Sequence, residues 1–171
     1  MSGDAALAGA PAWIGGDLVI ARAVLDDLHA HALETYPSES CGFVAGPAAE
    51  PALLDASIRL ANEADKYHAL DPERFPRSSR TYFKINELKA ARAFDEGEAA
   101  QRPIKVIYHS HCDAGAYFSA EDAATFAADG TLMWPCAFIV TSVVERKVVE
   151  TKLWVHVPGT NDFRESTLTV R

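Results

Sequence analysis

The residues best able to do chemistry lie in one short segment that begins with two histidines. His109 and His111 are separated by one residue, and Ser119 and Asp122 follow. Because successive side chains of a strand point to opposite faces, the two imidazoles are expected on one face, about 7 Å apart along the chain. Imidazole nitrogens and carboxylate oxygens are both ligands that Zn²⁺ accepts. The segment therefore predicts a metal site.

The reach of Asp122 depends on a helix that begins at Ser119. Serine is a favourable N-cap residue, and this places Asp122 in the first helical turn. A loop that folds back would bring its carboxylate to the ion held by the histidines. Three ligands leave a fourth position open, as in catalytic zinc sites. The alternative is structural: Ser119 and Asp122 also fit an ordinary capping pattern, and a pair of histidines at a strand end can simply bond to loop backbone.

A second signal occurs earlier in the chain, where Glu39 follows Pro37 at the end of a predicted helix and precedes the Cys41-Gly42 pair. A water activated by zinc needs a base that takes its proton and returns it to the leaving amine. Glu39 would serve as this base if the adjoining strand brings it beside His109. Taken alone, a glutamate in such a turn is an ordinary surface residue.

The combination of P-x-E-x-C-G around Glu39 with the spacing of His109, His111, Ser119 and Asp122 resembles the JAMM (MPN-plus) metalloprotease family. The resemblance implies that the two histidines and Asp122 bind Zn²⁺, that Glu39 is the general acid/base, and that Ser119 helps to hold the oxyanion or water. It also implies hydrolysis of a peptide or isopeptide bond after the Gly-Gly tail of a ubiquitin-like protein. In bacteria the corresponding partners are small sulfur-carrier proteins.

The resemblance covers roughly residues 17–157 and implies a fold similar to that of cytidine deaminases. The hydrophobic periodicity predicts the same class, an α/β (α+β) single domain over 17–171 with a mixed sheet flanked by helices. An Ala, Gly and Pro-rich flexible arm, 1–16, is expected before it. The predicted strands cover 17–20, 40–45, 57–61, 104–109, 136–144 and 148–157, and the predicted helices cover 22–36, 86–100 and 119–130.

Two features depart from the family pattern. Cys112 follows the second histidine, where most members have proline, and a strand would turn its thiol away from the ion. Residues 64–84 are expected to form a long functional or mobile loop. Its basic part, 71–84, is interpreted either as a flap that grips the tail of the substrate or as a solvent-exposed loop.

Other aromatic side chains have two interpretations. Tyr117 and Phe118 are expected to line a narrow groove that only glycine residues can enter, or to pack in the core. His29 and His31 show no ligand-like spacing and are expected to face solvent from the first helix.

Composition restricts the class of protein. The chain has 171 residues, a mass of 18.5 kDa and a net charge of −8. This acidic balance argues against a nucleic-acid partner, and no stretch is long and apolar enough for a membrane span. The N-terminus lacks the basic region of a signal peptide, and three widely spaced cysteines do not form a disulfide framework. A cytoplasmic location is therefore expected, and the oligomeric state stays open.

A zinc metallopeptidase is the leading hypothesis, and the sequence also bears on three other functions. A zinc deaminase needs a His-x-Glu followed by Cys-x-x-Cys, and the sequence has no such signature. A non-catalytic binding module of the MPN fold is an alternative, although the presence of all five functional residue types favours catalysis. A zinc amidohydrolase that acts on a small amide is the other alternative, because the motif reports chemistry and not substrate.

Overall fold

Strands and helices alternate along the chain in the computed structural model, which describes residues 10–171. In chain order, the elements are a 3₁₀ turn (Ala12–Gly15), β1 (Leu18–Ile20), α1 (Arg22–Thr35), β2 (Cys41–Ala45), β3 (Leu53–Leu54), β4 (Ala56–Leu60), α2 (Ala64–Leu70), α3 (Glu87–Ala99), β5 (Ile104–Cys112), α4 (Ala120–Phe126), β6 (Ala127–Ala128), β7 (Thr131–Leu132), β8 (Ala137–Val144), β9 (Lys147–His156), β10 (Phe163–Ser166) and β11 (Leu168–Val170).

A mixed sheet of six strands forms the centre of the molecule, in the order β10-β9-β8-β5-β2-β4. Strands β5 and β8 run parallel, and the other neighbours are antiparallel. Strand β1 pairs with β11 and β3 in a smaller parallel sheet, and β6 and β7 form a hairpin. The predicted fold class, a mixed sheet flanked by helices, is confirmed.

Both faces of strand β5 are buried, and the alternation of its side chains decides where the histidines point. On one face, Tyr108 belongs to a hydrophobic core that includes Leu28 of α1. On the other face, Ile107 lies in a second core with residues of α3 and α4. Because side chains alternate along a strand, His109 and His111 share the face of Ile107. The histidines therefore extend the second core towards the edge of the sheet where α4 begins.

All nine predicted strands and helices are present, but helix α4 ends earlier than expected. The prediction extended it to Gly130, whereas it ends at Phe126. Asp129 and Gly130 adopt positive φ angles of 52° and 76° and connect β6 to β7. An Asp-Gly pair is a strong hairpin signal, and this turn preference prevails over glycine as a helix C-cap.

The prediction of a loop over all of 64–84 is wrong for its first seven residues, which form α2. The N-cap residue Glu63 makes no side-chain hydrogen bond to this helix, and only Asn62 before it accepts the N–H of Ala64, at 3.0 Å. Seven residues are also too few for a helix that is stable by itself. Tertiary contacts hold it instead: Ala64 is fully buried, and the rings of Tyr67 and Phe75 lie 5.0 Å apart.

The predicted N-terminal arm falls largely on residues 1–9, which lie outside the described residues. The following 3₁₀ turn is attached to the domain, because the indole of Trp13 donates a hydrogen bond to the carbonyl of Pro135 at 2.8 Å. Across residues 10–171, no helix has the length and apolar character that a bilayer crossing requires.

The expectation that His29 and His31 face solvent is wrong. His31 is only 8% exposed, and its Nδ1 lies 2.7 Å from the hydroxyl of Tyr108. His29 is half-buried, with its Nε2 at 2.8 Å from the hydroxyl of Thr151. Both imidazoles therefore connect helix α1 to the sheet, on the face away from the paired histidines.

Candidate metal centre

Three side chains converge where strand β5 meets helix α4. The Nε2 atoms of His109 and His111 are 3.2 Å apart. The Oδ2 atom of Asp122 lies 3.0 Å from the first of these nitrogens and 3.3 Å from the second. All three residues are buried, with exposures of 1%, 5% and 7%. The structure therefore brings the three residues predicted as metal ligands to one point.

The N-terminus of helix α4 positions the carboxylate. The hydroxyl of Ser119 accepts a hydrogen bond from the Asp122 backbone N–H at 3.0 Å, and the Ser119 N–H donates to Asp122 Oδ2 at 3.0 Å. This reciprocal capping box fixes the Asp122 side chain against the start of the helix. The structural interpretation of the Ser119 and Asp122 pattern is thus correct, and it is also what aims the carboxylate at the histidines.

The electron pairs of this cluster fit a cation. His111 Nδ1 lies 2.8 Å from the carbonyl oxygen of Gly115, which can only accept, so the ring carries a proton on Nδ1. Nε2 is then the ring atom of His111 that is left to bind a metal ion. Burial disfavours the charge of Asp122, but the adjacent imidazoles hold its pKa well below its ordinary value. Two imidazole nitrogens and one carboxylate oxygen at these separations form a donor set that Zn²⁺ accepts.

The ring of His109 is oriented by packing. Its Nδ1 is buried without a hydrogen-bond partner among residues 10–171. The ring of Phe83 stacks against it, with centroids 4.4 Å apart and an interplanar angle of 23°. This contact holds the imidazole in the plane that points Nε2 at the cluster. The sequence carries no pattern that connects Phe83 to the site.

Glu39 reaches the cluster through the pairing of β2 with β5, which places Cys41 opposite His109. A carboxylate oxygen of Glu39 and one nitrogen from each histidine lie within 4.8 Å of one another. Glu39 is 5% exposed, and burial, together with the charge of Asp122, raises its pKa to about 9. A cation beside it would favour the ionised form. Without a cation, the carboxyl group therefore keeps its proton at neutral pH.

Two residues that sequence reasoning did not single out hold the backbone of Glu39. Its N–H donates to the carbonyl of Ser79 at 2.7 Å. Its own carbonyl accepts a hydrogen bond from the side-chain amide of Asn62 at 3.0 Å. The same amide donates to the carbonyl of Tyr82. Residues 71–84 are therefore connected by hydrogen bonds to the backbone of Glu39.

Glu39, His111 and Asp122 line a cleft with a cavity volume of about 120 Å³. Tyr117 lines it, half exposed, with its ring 5.0 Å from the ring of His111. Phe118 packs instead in the second core, against Phe138. Cys112 also lines the cleft, but among the described residues it does not belong to the converging ligand atoms. Burial and the nearby Glu39 raise the pKa of its thiol to about 12, so the thiol stays protonated at neutral pH.

Several solved structures have a similar fold. A protein from Desulfitobacterium hafniense matches with a TM-score of 0.66 and 18% identity, over 90% of this chain and 92% of that one. A protein from Salinibacter ruber matches with a TM-score of 0.56 and 21% identity, over 90% and 92% of the two chains. A JAB1/MPN domain protein from Archaeoglobus fulgidus matches with a TM-score of 0.52 and 17% identity, over 90% and 97%. At these identities the matches show a shared fold.

The amino-acid sequence matches a family model, although a comparison with functionally curated proteins found no match. The family model described as prokaryotic homologs of the JAB domain matches residues 21–157, which include both histidines, the aspartate and the glutamate of the cluster. Because this match covers most of the chain and agrees with the resemblance seen in its motifs, the chain belongs to the prokaryotic JAB-domain family.

Proposed function

We propose that this chain is a zinc-dependent hydrolase that cleaves a peptide or isopeptide bond after the Gly-Gly tail of a ubiquitin-like or sulfur-carrier protein. One observation supports the reaction above all others. The ligand atoms of His109, His111 and Asp122 converge in one cleft, with the carboxylate of Glu39 beside them. When bound there, the zinc ion would supply Lewis acidity to water and to the scissile carbonyl.

The chain's own residues supply the remaining chemistry. Glu39 takes the proton of the attacking water and delivers it to the leaving amine, a role for which its buried carboxyl group is suited. The hydroxyl of Ser119 accepts from the Asp122 N–H, so its own hydrogen remains free to donate to the oxyanion. Both groups line the same cleft.

The dimensions of the cleft support a tail of small residues. Its cavity is small, about 120 Å³, and the ring of Tyr117 lies beside His111 at its wall. A fusion with Gly-Gly before the cut bond is therefore expected to be cleaved, and one with Val-Val is not. Equal cleavage of the two fusions would remove the narrow groove from the mechanism while leaving the metal site intact.

Metal analysis tests the ligand assignment. We expect close to one zinc ion per purified chain, and loss of the metal in His109→Ala and in His111→Ala, because each substitution removes one of three ligands. His29→Ala is the matched control, since His29 lies on the other face of the sheet and bonds to Thr151. Full zinc content in the His109→Ala, His111→Ala double variant would contradict the assignment.

The substitution Glu39→Gln separates an enzyme from a non-catalytic binding module. Glutamine keeps the shape of the side chain but cannot accept the proton, so cleavage should fall by about 10²–10⁴-fold. Zinc content and binding of the uncut protein should persist. A binding module would cleave nothing in either form, and a small-amide hydrolase would cleave simple amides but not the Gly-Gly fusion. Wild-type turnover by Glu39→Gln would require a different base.

A further inference from the structure

Two arginines line the cleft beside the candidate metal centre. Arg77 and Arg80 share this cleft with Glu39 and His111. They belong to residues 71–84, which hold four basic and two acidic side chains, although the whole chain has a net charge of −8. The cleft lining also includes the carboxyl groups of Glu39, Glu121 and Asp122, so its charges are mixed. Among residues 10–171, Arg77 is paired with Glu121 and Arg80 has no ion-pair partner, so Arg80 is the positive group of the cleft that is available to a negatively charged ligand.

One of the two serines between the arginines anchors this segment. Ser79 is 4% exposed, and its N–H and hydroxyl each donate to the carboxylate of Asp65 at 2.8 Å. Its carbonyl accepts the N–H of Glu39 at 2.7 Å. This part of the chain is therefore bonded both to helix α2 and to the catalytic segment. An anchored backbone reduces the freedom that the arginines lose when a ligand binds.

The two arginines differ in the partner they already have. Arg77 forms an ion pair with Glu121 at 2.7 Å, and both side chains are more than 40% exposed. Exposed ion pairs of this kind contribute little free energy, so a ligand can share or displace the contact. Arg80 lines the cleft next to Thr81 and is the arginine that we expect to bind the ligand first.

We propose that Arg80, assisted by Arg77, binds a carboxylate that the substrate carries next to its scissile amide. The identity of the cut bond rests on the proposed function. A guanidinium presents two parallel N–H donors that match a carboxylate, which favours this anion over a point charge. The cavity is about 120 Å³, so the carboxylate belongs to a residue adjoining the cut bond.

The carboxylate takes no part in the bond changes. Hydrolysis breaks the amide C–N bond, adds the hydroxyl of water to the acyl carbon and transfers a proton to the leaving amine. The carboxylate itself has two sources: the α-carboxylate of a single C-terminal residue that leaves, or the side chain of an aspartate or glutamate.

Three forms of one ubiquitin-like carrier distinguish these sources. They end in Gly-Gly-Ala as the free acid, Gly-Gly-Ala as the C-terminal amide, and Gly-Gly-Asp as the C-terminal amide. An α-carboxylate site prefers the first form over the second, and a side-chain site prefers the third over the second. Equal kcat/KM for all three forms would overturn the proposal.

Substitutions of Arg80 test the assignment to this residue. For the preferred carboxylate form, Arg80→Ala should lower kcat/KM by about 10–100-fold, the effect of a lost charge-assisted hydrogen bond, and should leave the Gly-Gly-Ala amide unaffected. Arg80→Lys should restore only part of the lost kcat/KM, because the lysine ammonium group lacks the two parallel N–H donors of a guanidinium group. Arg74→Ala is the matched control, since Arg74 lies over the ring of Phe75 outside the cleft. Equal slowing of all three forms by Arg80→Ala would also contradict the proposal.

Binding to the zinc-loaded Glu39→Gln variant, measured by calorimetry, separates failure of this inference from failure of the proposed function. If no form is cut but a carboxylate form binds more tightly than the amide, and Arg80→Ala abolishes the difference, the proposed reaction is wrong and the carboxylate site stands. If all forms are cut and bound alike, the carboxylate site is wrong and the proposed function stands.

Discussion

The buried carboxyl group of Glu39 should make the metal-free protein less stable as pH rises. Its pKa is about 9 in the fold and 4.5 in an ordinary environment, because burial and the charge of Asp122 disfavour ionisation. Between these values the unfolded chain releases a proton that the folded chain keeps. The free energy of unfolding then falls by about 1.4 kcal/mol per pH unit, which amounts to about 3 kcal/mol at pH 7.

Glu39→Gln removes this titration while keeping the size of the side chain. The free energy of unfolding can be measured by urea titration in the presence of a chelator. The value for Glu39→Gln minus the value for the wild type should be about 3 kcal/mol larger at pH 8 than at pH 6. Glu87→Gln is the control, because its side chain is 79% exposed and should leave the wild-type pH dependence unchanged. Adding zinc should reduce the advantage of Glu39→Gln, since a cation stabilises the carboxylate. Identical pH dependence of wild type and Glu39→Gln would refute the reasoning.

Three other perturbations have defined outcomes. Lys105→Met should lower the free energy of unfolding by about 3 kcal/mol or more in urea titrations. The buried ammonium group donates to the backbone carbonyls of Pro47, Glu50 and Leu53, which would lose this partner. Gly42→Ala should lower the free energy of unfolding by about 1–3 kcal/mol, because a Cβ would come within 3 Å of the backbone carbonyl oxygen of Ile58 and of the ring of Tyr108. A wild-type melting temperature would contradict this close approach. Zinc added to the metal-free protein at 100 times its dissociation constant should raise the free energy of unfolding by about 2.7 kcal/mol. A similar increase in His111→Ala would show that the metal binds elsewhere.

Local patterns in the sequence were sufficient to predict that the side chains of His109, His111 and Asp122 converge. The period of a strand places His109 and His111 on one face, and the capping preference of Ser119 places Asp122 in the first turn of α4. Both relations act between residues close in the chain, so the sequence carries them directly. The same holds for helix α1, whose apolar residues Val24, Leu25, Leu28 and Ala32 recur at helical spacing and are all buried.

The surroundings of the cluster were decided only by the tertiary structure. Glu39 meets His109 because β2 pairs with β5, a contact across about 70 residues of chain. Phe83 orients His109 and Ser79 anchors the two arginines in the same way, through contacts between elements. The hairpin turn at Asp129-Gly130 and the short helix α2 also follow from competing or non-local interactions. Such contacts depend on how sheet pairing and side-chain packing are satisfied together, and no short sequence pattern records them.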